Sequence, residues 1–87
     1  MKIVFKKEFV KRYNKMPKAH RNMIDSAITL FKSNPNAPEL KNHALKGHLS
    51  GKRSITAGND LRIIFREEGN YTSVEFVRVG SHSQLYG

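Results

Sequence analysis

The chain has no cysteine, and only seven of its 87 residues are acidic. Without cysteine there is no disulfide, no thiolate nucleophile and no cysteine-based zinc site, and nothing calls for an oxidising compartment. No apolar run approaches the ~20 residues that a membrane-spanning helix needs. The opening Met1-Lys-Ile-Val-Phe-Lys-Lys-Glu8 has too short an apolar stretch for a signal peptide and reads as a strand entering a basic helix. These absences predict a cytoplasmic protein with no membrane partner. The P-loop, the dinucleotide-binding glycine motif and the zinc-protease motif are missing too, as are repeats and low-complexity segments.

What the chain has in quantity is positive charge. Sixteen Lys and Arg give a formal charge of +9 and a sequence pI near 10.2. Such an excess repels itself unless a polyanion offsets it, and nucleic acid, an acidic protein or an anionic membrane would each serve. A hydrophobic content of 38% in 87 residues supports one modest core, hence a single domain over residues 1–87.

Lys2 to Phe5 suits a short strand. Phe9, Val10, Tyr13 and Met16 fall near one side of a helix, and Pro17 suits the first turn of the next. In that second helix His20, Ile24, Ala27, Ile28 and Phe31 keep helical spacing until Ser33-Asn-Pro-Asn-Ala-Pro38 breaks it. His20 therefore reads as a structural residue of the apolar stripe. Segments 52–57, 61–67 and 72–79 alternate like strands, separated by Gly58-Asn59 and by Glu68-Gly69-Asn70. The order β-α-α-β-β-β predicts an α+β domain: a helix hairpin on one face of a twisted, mainly antiparallel four-stranded sheet, the other face free for substrate. The tail after a Gly80 turn reads as short and exposed.

Chemistry concentrates in the second half. Between Lys41 and Arg66 six Lys or Arg face a single acid, Asp60, which in that cationic field stays ionised and either orients a histidine or arginine or simply closes the Gly58-Asn59 turn. His43 and His48 lie in a connecting segment, and the tail carries Arg78, His82 and Tyr86 at intervals of four. Imidazoles move protons near neutral pH, a guanidinium forks onto phosphate oxygens, and a phenol stacks on a base. No protein nucleophile is evident. RNA supplies its own in the 2′-hydroxyl, so the set suits RNA cleavage without a metal or other cofactor. A metal site at His43, His48, Asp60 and His82 lacks zinc-type spacing. Lys52, Arg53, Arg62 and Arg66 are candidate RNA contacts beside His48 and Tyr86, although solvated strand residues read the same way. The basic residues from Lys6 to Arg21 form a diffuse electrostatic footprint.

Four segments, His43-Ala-Leu-Lys-Gly47, Gly51-Lys-Arg53-Ser, Asp60-Leu-Arg62-Ile-Ile-Phe65 and Arg78-Val-Gly-Ser-His82-Ser-Gln-Leu-Tyr86, resemble in order the RelE/ParE toxin superfamily, and within it the YafQ-like branch. The resemblance spans the chain and is specific from His43 onward. It implies the toxin of a type II toxin-antitoxin module: a metal-independent endoribonuclease that cuts messenger RNA on the ribosome. Such a toxin is monomeric when free and hetero-oligomeric with a cognate acidic antitoxin. By residue, it implies a catalytic set of His43, Asp60, Arg78 and His82, with Arg78 on phosphate and Tyr86 as the terminal aromatic. Two positions depart from the pattern: Thr56 stands where a histidine is frequent, and Leu61 where a tryptophan is expected. A gyrase-inhibiting toxin of the ParE type and a non-catalytic RNA- or ribosome-binding protein remain the alternatives.

Overall fold

The computed structural model describes residues 1–86. β1 (Lys2–Phe5) leads into α1 (Lys7–Asn14) and, past the corner Lys15-Met16-Pro17, into α2 (Lys18–Ser33). Two 3₁₀ turns, Pro38–Leu40 and Gly47–Leu49, flank the two-residue strand β2 (His43–Ala44). Then come β3 (Arg53–Gly58), β4 (Leu61–Glu68), β5 (Ser73–Ser81) and a terminal helix, α3 (His82–Tyr86). The sheet order is β1-β5-β4-β3-β2; β1 runs parallel to β5 and every other pair is antiparallel.

The α+β class and the helix hairpin on a mainly antiparallel sheet stand as expected, with five strands in place of four. The fifth is β2, whose two residues are too few to show a period; only its pairing with Ser54 and Arg53 reveals it.

Hydrophobic spacing explains the hairpin. Ile24, Ala27, Ile28 and Phe31 are buried at i, i+3, i+4 and i+7 of α2, and Phe9 and Met16 bury the matching side of the α1 segment. α1 packs over β5 while α2 lies over β3 and β4. The Arg21 guanidinium donates to the Met16 carbonyl at 2.8 Å, fixing the corner between the helices. His20 is exposed, contrary to its expected place in the core: it precedes the first buried residue of α2, Ile24, by a full turn.

Phe76 of β5 is the centre of the core. Its ring lies 5.3 Å from Phe5, 5.9 Å from Phe9, 5.5 Å from Phe31 and 6.2 Å from Phe65, so it touches the other four phenylalanines of the chain. Directly after it the β4–β5 ladder slips: Phe65 pairs with Phe76 but Ile64 pairs with Arg78, leaving Val77 as a bulge. Beyond the slip Val79 rejoins the main core, and Arg78 shares the opposite face with Ile64.

That opposite face is not free, as expected, but partly covered. Ile64, Val77 and Leu85 form a second small core against Leu45, Leu49 and Tyr86. Nor is the tail a loose end. Gly80 is no turn but part of β5, opposite Arg62, and a Cβ there would meet the Gln84 side chain at 2.8 Å. Ser81 and Gln84 form a capping box: the Ser81 N–H donates to Gln84 Oε1 (2.8 Å) and the Gln84 N–H to Ser81 Oγ (3.2 Å). At the far end of the sheet a cleft between strand ends carries Glu67, Glu68 and Glu75, with Arg66 bonded to Glu75. No helix among the described residues is long and apolar enough to cross a membrane.

Two stability predictions arise from this packing. Phe76→Ala should cost about 3–5 kcal/mol, the usual range for emptying a core aromatic, measured by urea unfolding. The Tyr13 hydroxyl donates to Asp25 at 2.6 Å, and this bond, aided by desolvation and the Asp25 charge, holds the phenol above its ordinary pKa. A raised folded-state pKa stabilises below about pH 10 and is lost as pH rises through the folded value. Melting temperature should therefore fall more steeply from pH 9 to 11 in the wild type than in Tyr13→Phe; equal slopes would refute the link.

Candidate functional site

Register builds the site. His43 pairs with Ser54, Ser54 with Ile64 and Ile64 with Arg78, so these four residues form one row across β2, β3, β4 and β5 on the face away from the helix hairpin. Three strand spacings separate the ends of the row, roughly 14 Å between His43 and Arg78 backbones. α3 lies along this face. Leu85 packs on Ile64 and Val77, and the Tyr86 hydroxyl donates to the buried Ser54 hydroxyl at 2.8 Å. The His82 and Tyr86 rings stand 4.7 Å apart. His43, Arg78, His82 and Tyr86 are thus gathered on one surface, with Tyr86 anchored in the middle of the row.

Arg78 reaches this surface because of the bulge. In an unbroken strand it would share the parity of Val74 and Phe76 and point into the hairpin-covered core. His43 is tied by a 2.9 Å bond between Nδ1 and the Lys41 carbonyl. A carbonyl only accepts, so Nδ1 carries the hydrogen and the Nε2 lone pair of the neutral ring is left for a substrate proton. Asp60 sits exposed in the β3–β4 turn, and its main-chain carbonyl accepts from the His82 N–H at 3.1 Å. Its carboxylate makes no hydrogen bond among the described residues, so it is the backbone of Asp60 that positions α3.

A family model described as the bacterial toxin of a type II toxin-antitoxin system, YafQ, matches residues 1–87. The chain belongs to the YafQ toxin family. The family's RelE-like fold is evident in solved structures too. YafQ from E. coli strain BL21(DE3) superposes with a TM-score of 0.82 at 25% identity, covering 98% of this chain and 97% of that one. YafQ in the E. coli DinJ–YafQ toxin-antitoxin complex gives 0.79 at 25% identity, covering 98% and 96%. A YoeB/ParE toxin from Agrobacterium tumefaciens gives 0.77 at 24% identity over 94% and 99%, a likeness of fold alone. A search of curated protein sequences gives no match.

Other residues singled out in this YafQ-family chain lie apart from the row. Arg53 pairs with Phe65 on the hairpin-covered face, where its Nε donates to Asn42 Oδ1 (2.9 Å), and Asn42 donates in turn to the Tyr71 hydroxyl (2.9 Å). It braces the β2 approach and is turned away from the row. Arg62 shares the face of the row, but its Nη1 is committed to Thr56 Oγ1 (3.0 Å), Asn59 O (3.1 Å) and Leu61 O (2.9 Å), closing the hairpin. Thr56 thus acts as an acceptor for Arg62. Arg66 is bonded to Glu75, whose carboxyl this contact holds below its ordinary pKa. His48 is exposed in the second 3₁₀ turn, and Lys52 is half-buried with its N–H on the Leu49 carbonyl. Among the described residues no three acidic or histidine side chains converge to hold a metal ion.

Sequence reasoning passed over Ser54 and the Ser81–Gln84 pair. The latter had a visible signal, Ser-x-x-Gln ahead of Leu85; Ser54 had none beyond its place in a strand.

The Ser54–Tyr86 bond yields a measurable expectation. Tyr86→Phe leaves a buried hydroxyl without its donor and should destabilise by about 1–3 kcal/mol in urea unfolding. Adding Ser54→Ala should recover part of that loss, so additive losses in the double variant would refute the coupling.

Proposed function

We propose that this YafQ-family toxin is a ribosome-dependent endoribonuclease that cleaves messenger RNA by attack of the 2′-hydroxyl. The observation that carries the reading is the cross-strand row, which puts His43, with an available Nε2, and Arg78 in register on one face, with α3 and its His82 and Tyr86 along it. His43 takes the 2′-hydroxyl proton and the oxygen attacks phosphorus. The bond to the 5′ oxygen of the next nucleotide breaks and His82 returns a proton to it, leaving a 2′,3′-cyclic phosphate and a 5′-hydroxyl. Arg78 neutralises the charge that grows on the non-bridging oxygens. Tyr86 presents a ring on which a base stacks, and Asp60 holds the helix that carries His82. All chemistry comes from side chains and substrate.

Ribosome dependence is supported by the openness of the site. His43 and His82 are exposed and Arg78 and Tyr86 half-buried, so the protein alone does little to align an RNA strand. A partner that holds the message supplies that alignment, and the +9 charge favours docking on ribosomal RNA, with Lys52, His48 and part of the Arg62 guanidinium contributing. The same charge favours a cognate acidic antitoxin, as the E. coli YafQ structure with DinJ suggests by kinship.

Primer extension on a translated message tests the reaction. Wild type should give discrete cuts, His82→Ala and His43→Ala should each slow cleavage about 10²–10⁴-fold, and Arg78→Ala about 10²–10³-fold. An intact message in the presence of ribosomes and wild-type protein would overturn the proposal. Inhibition of gyrase supercoiling under the same conditions would put a ParE-type activity in its place.

A further inference from the structure

A cleft of about 520 Å³ separates the α1–α2 corner from α3. Arg12, Lys15 and His20 line one wall, Ser81 and Gln84 the other, and Leu61 lies between them. We infer that this cleft is a second anion subsite, which holds the backbone phosphate of a nucleotide flanking the scissile one. The inference rests on the ribonuclease reading for its substrate and on the following features for its place.

Among the described residues none of its cations has an ion-pair partner; the only ion pair there is Arg66–Glu75, at the other end of the sheet. Glu8 and Arg12 border a neighbouring hollow without closing to ion-pair distance. Nor does helix stability account for all of these charges. Arg12 lies in the last turn of α1, where the helix dipole favours a cation, but Lys18 and Arg21 crowd the start of α2, which has no acid in its first turn. Positive charge there works against the dipole, so an anion brought from outside relieves it.

The cleft is also held in shape and joined to the row. The corner is pinned by the Arg21 bond to the Met16 carbonyl, so Arg12, Lys15 and His20 project from a fixed turn. On the facing wall Gln84 Oε1 is engaged by the Ser81 N–H, which leaves the amide NH₂ as a donor. Ser81 and Gln84 bracket His82 in the chain. Arg12 borders both this cleft and a small hollow that it shares with Glu8 and Arg78, so the cleft adjoins the Arg78 end of the row.

Fluorescence anisotropy with a 2′-O-methyl heptaribonucleotide, which binds but cannot be cut, tests the subsite. R12Q/K15Q/H20N should bind at least about 10-fold more weakly than wild type, with the salt slope reduced by about 0.7 for each phosphate that the variant leaves unneutralised. K2Q/K32Q, which removes equal formal charge elsewhere, should change affinity less than about 3-fold, the size of a diffuse field effect. Unchanged binding by the cleft variant, or equal losses in both variants, overturns the subsite. A check on wild type alone is titration with adenosine 3′,5′-bisphosphate followed by amide NMR shifts. These should centre on residues 12–21 and 81–84, and shifts confined to other segments overturn the inference. Wild-type cleavage of a translated message together with undiminished binding by the cleft variant sinks the subsite alone. Cleft-dependent binding without any cleavage sinks the ribonuclease reading alone.

Discussion

The packing of the Phe76 ring is the constraint on which the rest of the molecule depends. A chain of this length has little apolar surface to bury, and it spends all five of its phenylalanines on one connected cluster. Because Phe76 touches rings from β1, α1, α2 and β4, β5 lies between β1 and β4 and the hairpin folds back across that same face. The bulge that follows Phe76 then has a definite effect. It ends the parity that serves the core and sends the next arginine through to the other side of the sheet. Core and site are thus separated in the chain by a single residue, Val77.

The second face shows how a surface of polar groups is kept in order without a large core. Three buried apolar residues, Ile64, Val77 and Leu85, are enough to seat a five-residue helix once its first turn is capped by its own Gln84 and its last residue bonds a buried hydroxyl. Each polar group that anchors α3 is satisfied, and none of its anchors is one of the groups proposed to react. That separation lets His82 sit exposed while the backbone beneath it stays fixed by the Asp60 carbonyl.

Much of the architecture was legible because long elements repeat their signals. The α2 stripe and the paired Gly-Asn turns each recur over enough residues to outweigh local noise. What stayed hidden depends on pairing across the sheet. β2 is visible only through its partners in β3, and the face taken by Arg78 follows from a slip in register that alternation of residue types does not announce. Arg53 and His20 show the same limit in opposite senses. A cation in the strand was expected at the site and lies on the other face, while a histidine in helical phase with the core lies outside it. The groups proposed to react stand out in the sequence as residue types, whereas the row that aligns His43 with Arg78 depends on strand register.

The three glutamates at the far end of the sheet give the molecule an electrical direction. Glu67, Glu68 and Glu75 cluster where β4 ends, whereas the α1–α2 corner and α3 flank its beginning, roughly 23 Å away along the strand. A body so polarised experiences a torque near a polyanion as well as a pull. Because Arg66 and Lys6 offset the glutamates, the far end is only weakly charged, and the end that carries the free cations leads, so orientation is partly settled during diffusion, before any contact is made.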